Sequence, residues 1–124
     1  MVQDKNKAAK QYKGPVTTVK IADEVVASIA AYAALDVDGV SSLGGGLGMD
    51  DIARVSAKKL SKTLRVEVGK EGVKVDIALI VKYGCSIPQI STKVQDRIVK
   101  SVENMTGLSV PAVNVRVVGM EMNE

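Results

Sequence analysis

Two alternating runs separated by a four-residue turn constrain this chain more than any other feature. Leu64, Val66 and Val68 alternate with Arg65 and Glu67, and Val73, Val75, Ile77, Leu79, Val81 and Tyr83 fall on one side of a second, longer run. A period of two predicts strands with one buried face, which would turn Tyr83 inward. Gly69-Lys70-Glu71-Gly72 between the runs predicts the turn of a β-hairpin. Its register is well specified, because a slip of one residue would carry every apolar side chain to the wrong face. Ala78 and Ile80 put apolar groups on the other face of the longer run, which predicts a strand internal to its sheet.

Helical periodicity flanks the hairpin on both sides. Val25, Val26, Ile29, Ala30 and Ala33 recur at helical spacing from about Asp23 to Leu35, with Asp23 and Glu24 suiting the positive N-terminal end. Ala22 is a poor cap, and Gly39 marks the stop. A second helix has Ser86 as its cap and Pro88 in its first turn, where a missing N–H costs nothing. Its expected buried stripe is Ile87, Ile90, Val94, Ile98, Val102 and Met105, and Thr106-Gly107 ends it. Val16 to Ile21 and Ala112 to Met120 predict an opening and a closing strand. Ser41 to Gly48, rich in glycine, is expected to be a flexible connector, and a short extra helix is expected near 50–60 with Asp50 as cap.

The order β-α-β-β-α-β implies an α+β two-layer sandwich with helices on one face of a mixed four-stranded sheet. A ferredoxin-like closure is the simplest solution and a KH-like one the alternative. A single domain over 14–120 is expected, between a flexible basic tail at 1–13 and a short tail at 121–124. With 124 residues and 46% apolar content there is enough to fill one core. Phe and Trp are absent, so that core must come from Val, Ile, Leu, Ala and Met.

Chemistry is limited by what is missing. Without histidine there are no Ser-His or Cys-His pairs and no imidazole ligands. The single cysteine, Cys85, reads as a small, partly buried residue at the corner before the second helix, with no base in sight. Gly44-Gly45-Gly46-Leu47-Gly48 lacks the Gly-Lys-Ser/Thr ending of a P-loop. Gly69-Lys70-Glu71-Gly72 matches the G-x-x-G string of KH domains but joins strands rather than helices. Catalytic, cofactor-binding and metal-binding residues are therefore expected to be absent. The polar start carries no apolar leader and no run reaches the length of a membrane span, so a cytoplasmic location is expected.

Net charge is +3. Arg54, Lys58, Lys59, Lys62 and Arg65 form the densest basic cluster and are the candidate interaction surface. Solvated charge is the ordinary explanation of such a cluster. Nucleic-acid binding is the functional alternative, although stacking aromatics are scarce. A metabolite-binding domain is a third, more distant reading.

The ordered series of short strings resembles the alkaline-shock protein family of Gram-positive bacteria. It begins with Val19-Lys20-Ile21-Ala22-Asp23-Glu24-Val25-Val26 and Asp38-Gly39-Val40, and continues with the strand ending in Tyr83-Gly84. Ile29-Ala30, Ile87-Pro88, Lys93-Val94-Gln95 and Met105-Thr106-Gly107-Leu108 belong to it, and Val113-Asn114-Val115 with Val117-Val118-Gly119 closes it. The resemblance covers about 14–120, and Ala22 departs from the Ser that many members carry there. It implies a non-catalytic envelope-stress protein that self-associates and works through partners. Those partners would be a membrane-anchored protein or, in a second branch, machinery linked to acetyl-CoA carboxylase and lipid synthesis. It carries over no catalytic residues and no cofactor.

Overall fold

The computed structural model describes residues 21–122. The expected basic tail at 1–13 and most of the expected strand at 16–21 lie outside the described residues. Within them the order is α1 (Asp23–Leu35), β1 (Val40–Leu43), a 3-10 turn (Gly44–Gly46), α2 (Met49–Ile52), α3 (Ala57–Leu60), β2 (Leu64–Gly69), β3 (Gly72–Lys82), α4 (Ile87–Thr106) and β4 (Ala112–Glu121).

β3 organises the sheet. The hairpin forms in the expected register, with Leu64 opposite Ile77, Val66 opposite Val75 and Val68 opposite Val73. β1 joins β3 antiparallel beyond the end of β2, pairing Val40 with Val81 and Leu43 with Leu79. β1 and β2 thus share one edge of β3 end to end. β4 runs parallel to β3 along its other edge, from Ala112 opposite Lys74 to Glu121 opposite Lys82. The parallel pair flanks α4, the crossover expected of a strand–helix–strand unit. The result is the expected α+β class, with a mixed four-stranded sheet.

The strand at 40–43 corrects one expectation. The segment from Ser41 to Gly48, read as a loose connector, supplies β1 and then turns back on itself, with Leu43 N–H donating to the Leu47 carbonyl at 2.8 Å. Leu43 and Leu47 are both buried. Gly44 passes so close to the sheet that an added methyl would stand 3.1 Å from Ala78 Cβ. The short run Val-Ser-Ser-Leu has no periodicity of its own, so its identity comes from the end of β3 that it covers.

Residues of alternate parity on β3 (Val73, Val75, Ile77, Leu79 and Val81) are buried against α1 and α4. Ile90, Val94, Ile98 and Val102 meet them from α4. α1 contributes Val26 and five alanines (Ala27, Ala30, Ala31, Ala33 and Ala34), whose small side chains let it seat closely against both the sheet and α4. α4 begins as expected, with Ser86 Oγ accepting from Gln89 N–H at 3.5 Å, and ends at Gly107 in the left-handed conformation. Four expected inward positions are corrected. Val25 is 50% exposed and Met105 70%, because α1 and α4 carry more apolar residues than the sheet can cover. Val68, beside the hairpin turn, is 44% exposed, and Tyr83, 62% exposed, lies just past the end of β3 at Lys82. The helix expected near 50–60 is two separate single turns, α2 and α3. The first is opened by Gly48, whose N–H donates to Asp51 Oδ2 at 2.9 Å, and not by Asp50. β4 runs through Glu121, one residue past the expected boundary.

Candidate functional site

The surplus apolar residues of the two long helices converge. On α1 the spacing of Val25, Ile29, Tyr32 and Asp36 makes a second stripe, turned away from the buried alanines. On α4, Arg97, Ser101 and Met105 repeat every fourth residue. The stripes face each other across a groove of about 780 Å³, and Met49 of α2 closes part of its wall. This volume falls within the range typical of small-molecule pockets, about 300–1,000 Å³. Val25, Tyr32, Met49 and Met105 are all exposed there.

The two ends of the groove differ. At one end, Asp36 just beyond α1 accepts from the Arg97 guanidinium, an exposed ion pair that ties the helices together. At the other, Glu24 in the first turn of α1 adds a negative charge to an otherwise apolar lining. The groove is therefore apolar along its length and polar at both mouths. It can hold an apolar surface. The sequence did carry a signal for it. An α1 that is apolar on nearly every side has to bury one face on its own sheet and offer another elsewhere.

The basic candidates are only partly brought together. Arg54 lies 3.9 Å from Asp51, Lys58 and Lys59 stand exposed on α3, and Lys62 follows in the next turn. Arg65, the second residue of β2, lies on the solvent face of the sheet, opposite Asp76. There Lys62 and Arg65 are joined by Arg116 of β4 in a shallow depression around Asp76, whose Oδ1 accepts from Asn114 Nδ2 at 2.8 Å. Arg116, distant in sequence, could be found only through the strand pairing. Lys74 faces Glu67 across the hairpin, so much of the positive charge on this face has a negative counterpart. Cys85 is half-buried against the core. Among the described residues no group of three or more Asp, Glu, Cys or His is placed to hold a metal, and no helix is long and apolar enough to cross a membrane.

Relatives are similar over most of the chain. The Bacillus subtilis protein YqhY is 33% identical over 105 residues, covering 85% of this chain and 78% of its own. A second B. subtilis protein, YloU, is 29% identical over 106 residues, covering 84% and 88% respectively. A homologue of the stress response regulator gls24 from Streptococcus pyogenes is 32% identical over 104 residues. That match takes in 82% of this chain but only 58% of the streptococcal protein. Among solved structures, a variant of the MamM C-terminal domain superimposes with a TM-score of 0.55 at 16% identity, over 82% of this chain and 86% of that one. This is a likeness of fold, of the ferredoxin-like kind. The profile of the Asp23 family, described as having a cell envelope-related function, matches residues 11–122. The family's name has no connection with residue Asp23 of this sequence. It is the alkaline-shock family that the sequence resembles, and the chain belongs to it.

Proposed function

We propose that this protein is a non-catalytic scaffold of envelope-stress or lipid-synthesis machinery that acts by self-association and by binding a protein partner at the cytoplasmic face of the membrane. The observation that carries this reading is the apolar groove between α1 and α4, formed by large side chains that the protein's own core leaves uncovered. The stretch from Val25 to Asp36 matches about three turns of a helix, so an amphipathic helix laid along it is the natural occupant. Met49 and Met105, flexible and polarisable, suit a surface that adapts to such a partner. The cell envelope-related description of the family and the stress-response name of the streptococcal relatives agree with a partner at the envelope.

Cross-linking in the native cell, with recovery of the membrane fraction, tests the proposal. Tyr32→Glu combined with Met105→Glu should abolish the cross-linked partner and the membrane-fraction signal while leaving the circular dichroism spectrum intact. Unchanged cross-linking and fractionation of this variant would overturn the groove as the docking surface.

A further inference from the structure

β4 presents a long strand edge that nothing described covers. It pairs with β3 along one side from Ala112 to Glu121, and among the described residues no strand pairs with its other side. Such an edge is a template for another chain, and proteins usually blunt it with short strands, proline or charge. β2, at the opposite edge, is short and alternates Arg65 and Glu67 with its valines. β4 is ten residues long, contains no proline, and has only Arg116 and Glu121 as charges. Val118, Met120 and Met122, at its far end, are 54%, 46% and 59% exposed. The described chain enters α1 beside β2, where Asp23 and Glu24 lie along Leu64 to Glu67, on the side of the sheet away from β4.

We propose that β4 pairs antiparallel with β4 of a second copy about a two-fold axis, with Arg116 opposite Glu121 of that copy. This rests on the self-association in the reading above and names its surface. The register follows from the side-chain faces. Asn114, Arg116, Gly119 and Glu121 sit opposite Asp76, Ala78, Ile80 and Lys82 and share the solvent face of the sheet. Val115, Val117 and Met120 sit opposite Ile77, Leu79 and Val81 and share the helix side. The break in register between Leu79 and Ile80 makes Val118 the extra, bulged residue.

Setting Arg116 against Glu121 of the second copy satisfies both faces at once. Val117 then meets Met120, and Val115 meets Met122, all on the helix side. Val118 meets Gly119, which has no side chain to obstruct it. The symmetry repeats the Arg116–Glu121 pair, so two opposite-charge pairs close the contact. Among the described residues neither Arg116 nor Glu121 is in a salt bridge within its own chain. The Ser41 hydroxyl donates to Glu121 Oε1 and orients the carboxylate. A two-fold centred on Arg116 would instead set that guanidinium against its own copy. Pairing in the proposed register joins the two sheets into one and covers Val118, Met120 and Met122.

Sedimentation velocity on the full chain over a range of concentrations tests this, with circular dichroism confirming the fold of each variant. The wild type should sediment as a dimer. Arg116→Glu and Glu121→Arg, each setting like charges in opposition twice, should raise the dimer dissociation constant by about tenfold or more. The charge-swapped double variant, R116E with E121R, should restore dimerisation to within about threefold of wild type. Failure of the swap to restore it overturns the register. A dimer indifferent to both single substitutions overturns the edge assignment and leaves self-association standing. A wild type that is monomeric at every concentration overturns both.

Discussion

Asp36, just past the end of α1, accepts a hydrogen bond from the guanidinium of Arg97 on α4 and so closes one mouth of the groove between the helices. Both side chains are largely in water, 48% exposed for Arg97 and 64% for Asp36. Exposed pairs of this kind contribute little to stability. Arg97→Ala should therefore cost less than about 1 kcal/mol in urea denaturation. In the cross-linking assay it should weaken partner capture more than that stability loss explains.

The exposed and the buried residues of α4 should separate cleanly. Ile98 is fully buried, whereas Met105 is 70% exposed. Ile98→Ala should destabilise by about 2–5 kcal/mol, from lost burial and the cavity left behind. Met105→Ala should stay within about 0.5 kcal/mol of wild type. Equal effects in chemical denaturation would show that Met105 belongs to the core.

Gly72 opens β3 with φ +127°. A methyl there would strike the carbonyl oxygen of Ser109 and stand 2.9 Å from Pro111 Cδ. The same carbonyl accepts from Val73 N–H at 2.8 Å, so it cannot withdraw without losing that bond. Gly72→Ala should cost about 1–3 kcal/mol from backbone strain alone, and more from the displaced segment before β4. Gly69→Ala, with nothing within 4 Å of the added methyl, is the control and should melt within a few degrees of wild type.

The basic segment offers a direct check on nucleic-acid binding. Lys58 and Lys59 lie on α3, while Lys62 and Arg65 look toward Arg116 and Asp76, so the charges do not line one track. Titration of single-stranded RNA and duplex DNA at low salt should show no saturable binding. Binding that weakens steeply with salt and is lost in the Lys58→Glu, Lys59→Glu double variant would reassign this surface to a phosphate backbone.

Local patterning decided a good deal of this protein. The hairpin from Leu64 to Lys82, its register and the long helix from Ile87 to Thr106 follow from alternation, helical spacing, Ser86, Pro88 and Gly107, all read within a few residues of one another. The absence of histidine removed whole classes of chemistry without reference to any fold. What the sequence left undecided depends on contacts between distant residues. Val40 to Leu43 becomes a strand because the end of β3 needs a partner there. Val25, Tyr32 and Met105 are left outside because the sheet has only one face to offer two helices. Arg116 reaches Lys62 and Arg65, and β4 takes its place at the edge of the sheet among the described residues, only once β4 has paired with β3. Periodicity tells a residue which side of its own element it occupies, and only the packing of the elements tells it whether anything lies there.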